Sequence, residues 1–205
     1  MDTADKRRAL KNAMPRTVLE LVHTQACALL PSREVMLEQL PKSGVVAEIG
    51  VAFGDFTREI LARNNPRFLY LVDAWSTPRY RDGLEGIRKE FAEEIDEERV
   101  KVCEGLSVDV LAGFDDAMFD WVYVDTNHTY KTTAQELELC REKVVPGGLI
   151  AGHDFCTGNV VDAVPYGVVE AVTEFCAKHH WRFRYLTVES WGHFSFCLEE
   201  IPGQG

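Results

Sequence analysis

Two short stretches carry the side chains best suited to chemistry: DTNHTY, from Asp125 to Tyr130, and GHDF, from Gly152 to Phe155. Each follows an apolar run of strand character, so Asp125, His128, His153 and Asp154 stand at the ends of two strands. In an open parallel sheet, ligands bind outside the carboxyl ends of the strands, which brings these four residues to one cleft. Two acids and two histidines at adjacent strand ends can supply oxygen and nitrogen ligands to a divalent cation, with Asp125, His153 and Asp154 the candidate ligands. His128 and Asp125 are the catalytic candidates, because a neutral imidazole can take the proton of an acceptor hydroxyl near physiological pH. The plainer alternatives are a solvent-facing histidine that opens a helix and an aspartate that caps a loop. His23, His179, His180 and His193 fall on helices or a strand away from these ends and read as surface or packing residues.

A third stretch, VVAEIGVAFGDFTREIL from Val45 to Leu61, spaces small residues as Glu48-x-Gly50-x-Ala52-x-Gly54. Small residues between a strand and a helix permit a tight turn and close approach of a ligand to the backbone. A carboxylate at Glu48 would repel phosphate, so the ligand should carry positive charge or hydroxyls instead. S-adenosylmethionine has a sulfonium, an ammonium and a ribose diol, and no phosphate. Asp73, at the end of the next apolar run, is placed to accept both ribose hydroxyls. The alternative is that the glycines only make a turn and Asp73 only caps the next element.

These residues need a sheet to hold them. Short β-rich runs begin at Val45, Phe68, Val100, Phe119 and Gly147, separated by amphipathic segments with apolar positions such as Ile87, Phe91 and Ile95. Alternating strands and helices of this kind predict a parallel sheet covered on both faces. The runs RFRYLTVES and HFSFCLEE are separated only by Trp191 and Gly192, so they predict a terminal hairpin with an antiparallel last strand. Residues 1–40 carry helical segments around Thr17 to Leu30 and Ser32 to Leu40, broken by Pro15, Pro31 and Pro41, and read as an appended helical cap on a domain of residues 41–205.

Composition narrows the partners. The chain has 205 residues, 46% hydrophobic, and a net charge of −11 from 22 basic and 33 acidic residues, which offers no attraction to a nucleic-acid backbone. No apolar run approaches the roughly 20 residues that span a bilayer, so no membrane is expected. The six cysteines include no Cys-x-x-Cys pair, which reads as reduced thiols in a cytoplasmic protein. The expected partner is a small-molecule acceptor, and the sequence is compatible with a homo-oligomer.

The chain resembles the class I S-adenosylmethionine-dependent methyltransferases over about residues 44–200: EIGVAFG resembles motif I, LVDAW the ribose-binding motif, FDWVYVD motif IV, and VVPGGLIAGHDF the element entering the fifth strand. The resemblance implies a Rossmann-like, doubly wound, seven-stranded, mostly parallel sheet ending in the hairpin. It implies S-adenosylmethionine as cofactor, bordered by Glu48, Gly50, Ala52, Phe53, Gly54, Asp73, Trp75, Ser107 and Asp125. Trp75 and Ser107 would lie near the adenine, with a packing aromatic and a helix N-cap as their alternatives. The branch that includes macrolide sugar O-methyltransferases and cephalosporin hydroxylase-like proteins is similar, and acids matching Asp125 and Asp154 hold magnesium there. His153 departs from that pattern, where a second acid is common. Where catechol- and caffeoyl-type O-methyltransferases place a lysine, this chain has His128. The expected activity is methyl transfer to a hydroxyl oxygen of a small molecule, metal-assisted. Its alternatives are a non-methylating, hydroxylase-like member of the same fold and a nicotinamide-dependent oxidoreductase. The first 40 residues and the loop with Phe155, Tyr166 and Trp191 are expected to form the acceptor side.

Overall fold

Apolar residues on both faces of the same strands are what a sheet buried between two helical layers requires. In β5 (Phe119–Val124), Trp121 and Tyr123 point to one core while Val122 and Val124 point to the other. The computed structural model describes residues 3–203 and places β5 inside an eight-stranded sheet. The other strands are β1 (Ala28–Leu30), β2 (Val45–Ile49), β3 (Phe68–Asp73), β4 (Val100–Glu104), β6 (Val144–Gly152), β9 (Trp181–Thr187) and β10 (Phe196–Glu200), in the spatial order β1-β9-β10-β6-β5-β2-β3-β4. Only β10 runs against its neighbours, pairing antiparallel with both β6 and β9. The predicted α/β sheet and its antiparallel last strand are therefore present, with one strand more than expected.

Helices α3 (Asp55–Glu59), α4 (Gly83–Glu90), α5 (Ala92–Asp96), α6 (Ser107–Ala112), α7 (Tyr130–Lys143) and α8 (Val168–His179) connect the strands. In α8, Val168, Ala171, Val172, Phe175 and Cys176 are buried, an i, i+3, i+4, i+7, i+8 stripe that seats the helix on the sheet. The helix stops at His180, whose left-handed backbone (φ 59°) returns its N–H to the Cys176 carbonyl. After β2 the chain crosses to β3 and β4 on one side, while β5 and β6 lie on the other. The cleft thus opens between the ends of β2 and β5, where the strand order reverses.

The amino-terminal residues differ from the expected helical cap. Helix α1 (Thr3–Ala13) comes first, residues Leu21–His23 form only one 3₁₀ turn, and Ala28–Leu30 is β1, parallel to β9. Pro31 keeps Leu30 extended, and the free edge of β9 supplies the partner, so tertiary pairing overrides the helical pattern of Thr17 to Leu30. Helix α2 (Arg33–Gln39) forms as expected, with the Ser32 hydroxyl capping Val35 N–H and with Met36 and Leu37 buried. The loop after β6 contains a short hairpin, β7 (Gly158–Asn159) with β8 (Val164–Pro165). Among the described residues, no helix is long and apolar enough to cross a membrane.

Candidate active site

The turn after β2 is built mostly from its own main chain. Gly50 N–H donates to Val72 O (2.8 Å), Val51 and Ala52 N–H both donate to Asp73 Oδ2 (2.9 Å each), and Gly54 N–H donates to Val51 O (3.0 Å). Trp75 N–H takes Asp73 Oδ1 (2.9 Å). A carboxylate has about four acceptor positions, so Asp73, already accepting three N–H bonds, keeps capacity for a ligand hydroxyl. Four amides that could cradle a pyrophosphate are already engaged, which disfavours a dinucleotide. Gly50 has φ 92°, and a Cβ there would lie 1.9 Å from Asp125 O. The close approach at Gly50 is thus made by the chain leaving β5.

Glu48 corrects the charge argument. Its side chain is 1% exposed, behind the turn, and accepts from Thr57 Oγ1 at 2.6 Å. Burial pushes its carboxyl up to about 8, so at neutral pH it is mostly uncharged and cannot repel phosphate. The engaged amides disfavour phosphate instead, because they have no free N–H to offer it. Trp75 is also buried, with its indole N–H on Ala52 O (2.8 Å) and its ring against Gly83, so it braces the turn. Phe53, by contrast, is 45% exposed with Tyr80 beside it (centroids 5.8 Å apart). Ser107 is the first residue of α6, and Leu106 occupies the cap position.

At the ends of β5 and β6 the four predicted polar residues do meet. His128 Nε2 lies 3.1 Å from Asp125 Oδ1 and 2.8 Å from Asp154 Oδ2, and His153 Nδ1 lies 3.6 Å from Asp125 Oδ2 and from Asp154 Oδ1. His128 and Asp154 both have left-handed backbones (φ 60° and 56°), which turn their side chains inward. Asp125, His128 and Asp154 each bring a ligand atom within 4.8 Å of the others, a set able to hold a cation. Burial alone would lower the His128 pKa, but the hydrogen bonds and charges of Asp125 and Asp154 outweigh it and push it up to about 9. Asp154 moves to about 2: burial opposes the charge, and the bond from His128 favours it more strongly. With these two carboxylates as its neighbours, His128 is an imidazolium at neutral pH, whereas a base there needs the neutral ring.

Three residues that sequence patterns left out of the cleft belong to it. His193, read as a surface or packing residue, bonds Asp154 Oδ1 through Nδ1. The bond Phe155 N–H to Phe194 O (2.9 Å) draws its segment against GHDF, a pairing without local sequence signal. Arg33, at the start of α2, reaches Asp125 Oδ2 at 3.8 Å and lies over the Phe56 ring at 4.6 Å. Glu136 on α7 is fully buried beneath the loop and accepts from Thr126 Oγ1 (2.9 Å), while its Oε1 has no hydrogen-bond partner. Burial pushes it up to about 7, against the pull of the Ser107 and Thr126 hydroxyls. Of the three aromatic residues expected on the acceptor side, Tyr166 stacks on His128 (4.6 Å) and Trp191 is 91% exposed. Phe155 turns instead into the core, against Phe183 and Phe196.

The strand order, the turn after β2 and the acid at the end of β3 define a class I methyltransferase fold. A family model described as a methyltransferase domain matches residues 47–155, more than half of the chain, and the protein belongs to that family. S-adenosylmethionine is the family's cofactor. No curated protein matches the sequence. Among solved structures, a provisional rRNA methylase from Clostridium thermocellum superposes with a TM-score of 0.63 at 17% identity, covering 87% of this chain and 99% of that one. The B. subtilis M1A22 tRNA methyltransferase TrmK gives 0.59 at 12%, covering 83% and 66%. The pyocyanin biosynthetic protein PhzM gives 0.59 at 13%, covering 78% of this chain and 51% of its own, so the chain spans about half of PhzM. At these identities the likeness is one of fold.

Proposed function

We propose that the protein transfers a methyl group from S-adenosylmethionine to a hydroxyl oxygen of a small molecule, with a divalent cation held by Asp125, His153 and Asp154. The observation that supports this reading is the convergence of Asp125, His128, His153 and Asp154 beside the turn of β2. The residues at the turn fit the cofactor: Asp73 retains one acceptor position for a ribose hydroxyl, and Phe53 offers an exposed apolar face to a base. Bound there, S-adenosylmethionine supplies an electrophilic methyl group on a sulfonium. A cation at the carboxylates would supply Lewis-acid chemistry, lowering the pKa of an acceptor hydroxyl.

The chain's own residues position and move the proton. As an imidazolium His128 offsets one of the two negative charges of Asp125 and Asp154, and it accepts a proton only after losing its own. Were a cation held by these carboxylates, its charge would lower the His128 pKa, and the neutral imidazole could then act as base. Tyr166 fixes the His128 ring plane by stacking, and Arg33 holds the far side of Asp125. The net charge of −11 favours a small molecule over RNA.

The test is a methyl-transfer assay with hydroxylated small molecules and with RNA, run with and without chelator, while calorimetry follows cofactor binding. Product from a small hydroxyl compound that falls with chelator supports the reading. Cofactor binding with methylation only of RNA would replace the acceptor class.

A further inference from the structure

We propose that Asp154, Cys156 and His193 form a binding site for a borderline transition-metal ion of the zinc(II), iron(II) or cobalt(II) class. Each residue brings one donor atom, and the three atoms lie within 4.8 Å of one another. His193 Nδ1 bonds Asp154 Oδ1 and stands 3.8 Å from Cys156 Sγ. A tetrahedral ion with bonds of about 2.0–2.3 Å holds its donors roughly 3.3–3.8 Å apart, so side-chain rotation closes the set. The donors come from two segments, 154–156 and 193, clamped by Phe155 N–H on Phe194 O. Asp154 is buried with a left-handed backbone (φ 56°), and its Oδ1 meets His193 Nδ1 across the two segments.

The donor types decide the metal. Imidazole and thiolate suit zinc-like ions, whereas magnesium takes oxygen ligands. Cys140, Cys176 and Cys197 are buried in the cores, while Cys156 is half-buried and meets a histidine and an acid. Asp154 serves both clusters with different oxygens: Oδ1 faces His193, and Oδ2 accepts from His128. The His128 bond thereby orients the ligating carboxylate, as outer hydrogen bonds do in metal centres. Three protein ligands would leave a fourth position to water, and His153 Nδ1 stands 3.6 Å from Asp154 Oδ1.

Metal retention is read without acceptor or turnover, so this inference stands apart from the methyl-transfer reading. The reduced full-length protein is loaded with zinc(II) or cobalt(II), dialysed against metal-free buffer and quantified by elemental analysis and electronic absorption. About one ion per chain should remain, and the cobalt form should show a thiolate-to-cobalt charge-transfer band. Cys156→Ser should abolish the band, and His193→Ala should weaken zinc binding at least about 10-fold. Circular dichroism checks folding; if His193→Ala does not fold, Cys156→Ser at its half-buried position decides. No retained ion, or retained cobalt whose spectrum Cys156→Ser leaves unchanged, overturns the site. Calorimetry with S-adenosylmethionine on the same samples reports separately on the cofactor reading.

Discussion

Three residues couple charge to position, and each makes a measurable prediction. Asp73 binds three main-chain N–H groups, so Asp73→Ala should lower stability as well as cofactor affinity. With about 1.5–3 kcal/mol per bond to a charged acceptor and incomplete additivity, we expect a loss of roughly 3 kcal/mol by urea denaturation, with calorimetry reporting the weaker binding. Glu48 has a raised folded pKa of about 8, so the stability it contributes is complete below its unfolded value and is lost as pH rises through 8. Glu48→Gln keeps the acceptor for Thr57 and should remove that decline, leaving the variant more stable than the parent at pH 9 by on the order of 2 kcal/mol. A parent whose melting temperature is flat from pH 6 to 9 would contradict this. His128 is charged below about 9, so metal-free turnover should rise with pH toward that value, and added divalent ion should shift the rise lower. A chelated enzyme already at full rate at pH 6.5 would remove His128 as base.

At the scale of elements, the junction of β2 and β5 is the tightest constraint on the site. Gly50→Ala puts a methyl 1.9 Å from a main-chain oxygen at φ 92°, where neither strand can yield without unpairing. We expect the variant to unfold or to lose more than about 3 kcal/mol, read by thermal melts. A stable variant that lost only cofactor binding would make the turn a ligand contact instead. Strand β1 and helix α2 matter for a different reason. Their pairing on β9 carries Arg33 to Asp125, so an edge strand delivers a cation to the cleft.

In the whole molecule, the loop between β6 and α8 is tied to the amino-terminal helix. Lys11 donates to Tyr166 O (2.9 Å) and pairs with Glu170, which straps α1 over the segment that carries the His128 stacking partner. Lys11→Ala should raise hydrogen exchange in residues 156–167 while the sheet core keeps its protection, because a half-buried ion pair contributes only about 1 kcal/mol to global stability. Unchanged exchange in that loop would show that α1 does not restrain it.

The strands, the central helices and the cluster of Asp125, His128, His153 and Asp154 were legible in the sequence because their signals are local. Apolar runs, 3.6-residue stripes and polar residues at strand ends depend on near neighbours, and a parallel sheet brings its strand ends together whatever the details. Tertiary structure alone decided what depends on distant partners. The free edge of β9 turned Ala28–Leu30 into a strand, and the pairing of Phe155 with Phe194 brought His193 to Asp154. Burial and neighbours shift the charges: burial raises the Glu48 pKa behind its turn, and two carboxylates raise that of His128. Residue type names the groups that can ionise, but their protonation depends on desolvation and on neighbouring charges that chain order does not reveal.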